Sequence, residues 1–175
     1  MERETFAIFL NFSYKKFVRH SSLIGSFSMN SIMVLLNIFI SNVLLYLSVL
    51  HVYWAFGGLW PGKNKQELID MVFGQGDRFP SRFACLFVAT GLLLFAVLPF
   101  FWTFRKLLLL GEFEIQFIFW ILIFSTIIFI TRGILGYIPQ ITKMWKPIFV
   151  YHTKLIYNPL CLFIGSGILV MILFG

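Results

Sequence analysis

Four apolar runs, each long enough to cross a membrane as a helix, occupy most of this 175-residue chain. They cover residues 32–56, 83–104, 115–137 and 155–174, and none of them contains Asp or Glu. About 20 helical residues are enough to cross the hydrocarbon core of a bilayer. We therefore predict an all-α integral membrane protein, an antiparallel four-transmembrane-helix bundle that forms a single membrane domain over residues 1–175.

The composition supports this fold class and indicates which kinds of partner to expect. Hydrophobic residues make up 59% of the chain and charged residues only 12%, about half of what a soluble domain carries. The net charge of +7 would indicate nucleic acid in a soluble protein, but beside membrane helices it matches anionic lipid headgroups. We expect membrane lipids, and no nucleic acid, as partners. The first apolar run is too long for the apolar part of a signal peptide.

The segments outside the runs differ in length and polarity. Residues 5–18 mix Phe with Lys, which fits either an interfacial amphipathic helix or a loosely ordered tail. The first connection, 57–82, is the longest, and we predict one or two helical turns within 65–73. The second connection, 105–114, is short and places the second and third helices side by side. The third connection, 138–154, contains three Lys and two Pro, and we predict a loop there.

The distribution of Lys and Arg nearly balances across the membrane. Six flank the runs on the N-terminal side and seven on the opposite side. The first helix usually dominates orientation, and its N-terminal flank is the more basic at short range. We therefore expect a multi-pass protein of the bacterial inner (cytoplasmic) membrane, with both termini in the cytoplasm and the first connection outside.

Small and polar residues form one stripe on each of three predicted helices. At about 100° per residue, each stripe shares one helix face. Such faces turn inward in membrane bundles, either as ordinary helix–helix contacts or as the wall of a polar pocket. The stripes are Asn37, Ser41, Ser48, His51 and Ala55 on the first helix, Ser125, Arg132 and Gly136 on the third, and Asn158, Cys161 and Gly165 on the fourth.

The candidate ligand-binding residues gather at the polar end, which we define as the end where the runs meet the first and third connections. Arg132 has two interpretations. A guanidinium near a helix end can extend to the headgroups, or its planar fork can anchor a phosphate or carboxylate. The candidates are His51, Tyr53, Trp54, Arg82, Arg132, His152, Tyr157 and Asn158.

The histidines and cysteines allow several kinds of chemistry without selecting one. His51 and His152 could act in acid–base catalysis, ligate a metal or haem, or simply form interfacial hydrogen bonds. Two histidines without a third ligand at fixed spacing are a weak metal signal, so we assign no metal and no cofactor. Cys85 and Cys161 could form a disulfide if the polar end faces an oxidising compartment. Catalytic motifs such as GxSxG, HExxH and the P-loop do not occur, and the sequence does not decide whether the protein is an enzyme.

Three segments resemble an uncharacterised bacterial four-helix integral membrane family, domain of unknown function 3995. These segments are residues 51–58 (HVYWAFGG), 132–136 (RGILG) and 157–161 (YNPLC). The resemblance extends from about residue 42 to the C-terminus. It implies a four-helix membrane fold and an important polar end, but no activity.

Two functions of different classes follow from these features. The first is a polar pocket at one leaflet that binds or acts on an amphipathic, anionic, lipid-like molecule such as a phospholipid or an isoprenoid phosphate. The alternative is a non-catalytic accessory subunit that packs against a larger membrane complex, or a homo-oligomer. A transporter is the weakest candidate, because four helices without inverted repeats would have to oligomerise to form a pathway.

Overall fold

A computed structural model describes the chain from Ser31 to Phe174. All regular structure in this part of the chain is helical, which confirms the predicted fold class. Four helical stretches are long and apolar enough to span a membrane. The helices are α1 (Ser31–Ala55, the described extent), α2 (Lys65–Val72), α3 (Arg82–Thr103), α4 (Glu112–Leu135), α5 (Pro139–Thr142), α6 (Pro147–His152) and α7 (Asn158–Phe174).

The chain divides into two compact units, Met1–Leu35 and Leu36–Gly175. The first contributes only the opening of α1 to the described residues, and the predicted amphipathic helix over 5–18 lies outside them. All packing discussed below belongs to the second unit.

The first three predicted spans agree with α1, α3 and α4 to within three residues at each end. The short helix predicted within 65–73 is also present, as α2. Asn64 caps it by accepting the Glu67 backbone N–H at 2.9 Å, and the Glu67 carboxylate accepts the Lys63 N–H at 2.8 Å. These local bonds satisfy backbone donors that a helix N-terminus leaves free.

The predicted loop over 138–154 is wrong. It contains α5 and α6, and α6 continues through a π-helical turn, Thr153–Tyr157, into α7. The two prolines of this segment, Pro139 and Pro147, do not break a helix but occupy first-turn positions of α5 and α6. Proline fits there because its fixed φ suits the helix and its missing N–H would be unpaired anyway. His152 therefore lies on a helix and not in a loop.

Two residues of the polar stripe on α1 bond to α3, which agrees with the prediction that this face turns inward. The Asn37 amide donates to the Pro99 carbonyl at 3.1 Å and to the Thr103 hydroxyl at 2.9 Å. Ser48 lies on the same face of α1, and its hydroxyl donates to the Ala89 carbonyl at 2.8 Å. Polar groups in an apolar surrounding need such partners.

Among the helices from α2 to α7, α4 and α7 pack together most extensively. Three glycines, Gly133, Gly136 and Gly165, lie at this contact. A Cβ at Gly136 would collide with the Asn158 side chain, and one at Gly165 would lie 3.1 Å from the Ile130 backbone nitrogen. Small residues at such contacts let two helix backbones approach closely.

The first and third connections contact each other at the polar end. The Lys146 backbone N–H donates to the Gly74 carbonyl at 2.8 Å, and the Tyr157 hydroxyl donates to the Met71 carbonyl at 3.3 Å. The Lys146 ammonium also lies 4.0 Å from the Asp70 carboxylate. These contacts agree with the expectation that both connections lie on the same side of the membrane.

Candidate functional site

A cavity of about 790 Å³ opens between α1, the first connection and the α6–α7 region. This volume is within the usual range for ligand pockets. Its longest wall is α1. The twelve helical rises from Phe39 to His51 extend about 18 Å. Most of this wall is apolar, and Ile156 and Leu160 line the cavity from the α6–α7 side. The cavity is therefore a mostly apolar groove, with its histidines and Arg132 at the polar end and Asn42 farther along α1.

The first connection forms the outer part of the cavity. Trp60 and Pro61 line it, as do Met71 and Val72 from α2. The indole N–H of Trp54 donates to the Trp60 carbonyl at 2.7 Å, which ties this part of the connection to the end of α1.

Arg132 contributes the positive charge of the cavity. It lies in the last turn of α4, and its Nη1 is buried without a hydrogen-bond partner. Its guanidinium carbon is 5.8 Å from the centre of the Trp145 ring. No carboxylate of the described residues forms an ion pair with Arg132. A buried charged donor without a partner favours an internal anchor over an arginine that extends to bulk headgroups.

Both histidines of the described chain line the cavity, and both are held in the same way. The Nδ1 of His51 is 2.7 Å from the Leu47 carbonyl, and the Nδ1 of His152 is 2.8 Å from the Ile148 carbonyl. A carbonyl oxygen only accepts, so each Nδ1 carries a hydrogen. Proton exchange at either ring is therefore left to Nε2.

Asn158 is completely buried, and neither of its amide atoms has a hydrogen-bond partner. Its backbone N–H closes the π-helical turn by donating to the Thr153 carbonyl. The Thr153 hydroxyl is likewise buried and unpartnered. π-Helical turns inside α-helices are frequent at functional sites, and this one lies directly beside the cavity.

Comparison with known proteins identifies a family. Residues 44–168 match the family described as "Protein of unknown function (DUF3995)". The chain belongs to this family. The match confirms the resemblance inferred from the sequence, and with the four apolar helices it describes a multi-pass membrane protein. No curated protein and no solved structure matches the chain.

In this DUF3995 member, five of the eight candidate ligand-binding residues line the cavity. They are His51, Trp54, Arg132, His152 and Tyr157. The helical stripe on α4 and the cluster at the polar end were the sequence signals that identified them. Whether they bind a ligand stays a prediction.

The other three candidates lie elsewhere. Tyr53 is two positions after His51 on α1, which turns it about 200° away from the cavity face. Its side chain is exposed, and its ring lies against Gly58. Arg82 is exposed in the first turn of α3, outside the cavity wall. Asn158 is buried against Gly136 and does not line the cavity.

The sequence interpretation missed two groups of lining residues. Asn42 and Tyr46 belong to a helical face of α1 that neighbours the polar stripe, and their spacing of four was visible in the sequence. Met71 and Val72 join the cavity through the contact between α2 and Tyr157. No local sequence pattern indicates that contact.

The part of the chain that the structure describes contains neither a disulfide nor a cluster of metal-binding side chains. Cys85 is buried and Cys161 is half-buried, and both are free thiols, so the disulfide that the sequence permits is not formed here. Between Ser31 and Phe174 there is no group of three or more His, Cys, Asp or Glu side chains that could hold a metal ion.

Proposed function

We propose that the cavity binds an amphipathic anion with a phosphate monoester head and a long apolar tail. Phosphatidic acid and isoprenoid monophosphates share this chemistry. The phosphate would bind Arg132 at the polar end, and the tail would lie along α1 toward Phe39. We also infer a bacterial inner-membrane location with the polar end outside, from the basic N-terminal flank.

The observation that carries the proposal is the half-buried Arg132 in the lining of an apolar groove, where no carboxylate of the described residues pairs with it. A partly buried charge without a counter-ion is costly, and a bound anion would neutralise it. Arginine suits phosphate because its fork can donate two parallel hydrogen bonds. Acidic side chains do not line the cavity, which leaves the charge of Arg132 available to a ligand.

The test measures binding to the purified protein in nanodiscs of phosphatidylcholine, a lipid without net charge. Two probes distinguish the sources of the phosphate: farnesyl phosphate and dioleoyl phosphatidic acid. Farnesol serves as the uncharged match of the first probe. We expect saturable binding of at least one phosphate probe and much weaker binding of farnesol.

Arg132→Gln should weaken binding about 10- to 150-fold, because hydrogen bonds to a charged group contribute about 1.5–3 kcal/mol. Arg132→Lys keeps the charge but loses the fork, and should lie between the parent and Arg132→Gln. Arg82→Gln is the matched control, an arginine at the same end of the bundle but outside the cavity, and it should bind like the parent. Equal binding by the parent and Arg132→Gln, or equal affinity for farnesol and farnesyl phosphate, would reject the proposal.

A further inference from the structure

Two proton-exchanging groups and one fixed cation line the same cavity: His51, His152 and Arg132. Nothing in binding alone requires the two histidines. Both have their Nδ1 committed to a carbonyl of their own helix, at 2.7 and 2.8 Å. Each Nε2 can therefore accept a proton when the ring is neutral and donate one when the ring is charged.

We propose that the cavity is the active site of a hydrolase that cleaves phosphate monoesters of long-chain alcohols by general acid–base catalysis. This inference rests on the proposed function, because the same Arg132 and the same apolar groove must first bind the substrate. Water is the second reactant, and the products are the free alcohol and inorganic phosphate.

The two histidines belong to different elements that line the cavity. His51 is on α1, where Leu47 and Leu50 also line the cavity, and His152 is on α6 of the third connection. In phosphoryl transfer the attacking and leaving oxygens lie roughly in line on opposite sides of phosphorus, so one histidine would serve each of these oxygens.

The reaction balances with these groups alone. One histidine, neutral at Nε2, takes a proton from the attacking water while the oxygen of that water bonds to phosphorus. The bond between phosphorus and the ester oxygen breaks, and the other histidine, in its charged form, donates its Nε2 proton to that oxygen. The Arg132 guanidinium stabilises the negative charge on the phosphoryl oxygens. Proton transfer between the two histidines through solvent then restores both rings.

The experiment measures release of inorganic phosphate from farnesyl phosphate and from dioleoyl phosphatidic acid by the full chain in phosphatidylcholine nanodiscs. The binding assay runs in parallel on the same samples. In water labelled with ¹⁸O, the label should appear in the phosphate, since the bond at phosphorus is the one that breaks. His51→Gln and His152→Gln should each lower kcat about 10²- to 10⁴-fold and change the dissociation constant only a few fold. Tyr53→Phe, exposed and outside the cavity, should match the parent.

The two proposals fail in different ways. Binding that depends on Arg132, without phosphate release above that of the His51→Gln/His152→Gln double variant, would overturn the hydrolase and leave the binding function. Label found in the alcohol, or turnover unchanged in both single histidine variants, would also overturn it. If the parent protein binds neither phosphate probe, both the binding function and the hydrolase are rejected.

Discussion

The contact between Gly136 and Asn158 gives a sharp test of how α4 and α7 pack. A Cβ at position 136 would meet three atoms of the Asn158 side chain, which is completely buried and enclosed by its neighbours. Gly91 on α3 is the matched control, since a Cβ there would meet nothing within 4 Å. Neither glycine has a positive φ, so neither substitution to Ala strains the backbone. Gly91 lies inside α3 and its change to Ala gains up to about 1 kcal/mol of helix propensity, whereas Gly136 is the C-cap of α4.

The difference between the two variants contains the cost of the collision and the helix propensity gained at Gly91. Overfilling a packed interior costs about 1–3 kcal/mol, so Gly136→Ala should be less stable than Gly91→Ala by at least that amount. The measurement is the free energy of unfolding in mixed micelles, followed by circular dichroism. Gly91→Ala should be as stable as the parent or slightly more stable.

A double variant separates the collision from other effects of the substitution. Asn158→Ala removes all three atoms that a Cβ at position 136 would meet. It also removes two buried polar atoms that have no partners, so its own cost should be small. Gly136→Ala/Asn158→Ala should recover at least about 1 kcal/mol relative to the sum of the single variants. Additive effects within about 0.5 kcal/mol would refute the packing argument.

Three further outcomes can be tested. Asn37→Ala should lower the free energy of unfolding by about 0.6–1.7 kcal/mol, whereas Asn42→Ala should have little effect, because its amide reaches only the Ile38 carbonyl of its own helix. Val43→Phe should weaken binding of farnesyl phosphate by about tenfold or more, as the larger side chain fills the groove; unchanged affinity would place the tail elsewhere. Gln75→Cys, in a variant without native cysteines, should react with an impermeant maleimide in intact cells, and labelling only after lysis would reverse the orientation.

The main elements of this fold could be predicted because their causes are local. Hydropathy over some twenty residues sets the four spans, and the helical period places Asn37 and Ser48 on one inward face. Arg132 could be predicted to face the interior because a cation in an apolar run is costly when it faces lipid, and it lines the cavity. These signals do not depend on knowing which helices are neighbours.

The features that the sequence did not reveal depend on contacts between distant segments. Met71 lines the cavity because its carbonyl accepts a hydrogen bond from the Tyr157 hydroxyl, 86 residues away along the chain. Pro147 could either start a helix or break one. The outcome depends on whether a helix at this position buries an apolar side chain against another segment. Phe149 supplies that reason, since its ring is buried against Gly74.

The π-helical turn shows how such a contact forms the site. In a regular α-helix, residues five apart point about 140° away from each other, so His152 and Tyr157 could not share one face. The wider turn over Thr153–Tyr157 makes five residues nearly one full turn. Accordingly the two rings stack, with centroids 6.3 Å apart and planes 25° apart, and both line the cavity. Asn158 follows directly and packs into the space that Gly136 leaves open, which joins the wide turn to the α4–α7 contact. The glycine on one helix and the asparagine on the other thus support the arrangement that gives His152 access to the polar end of the groove.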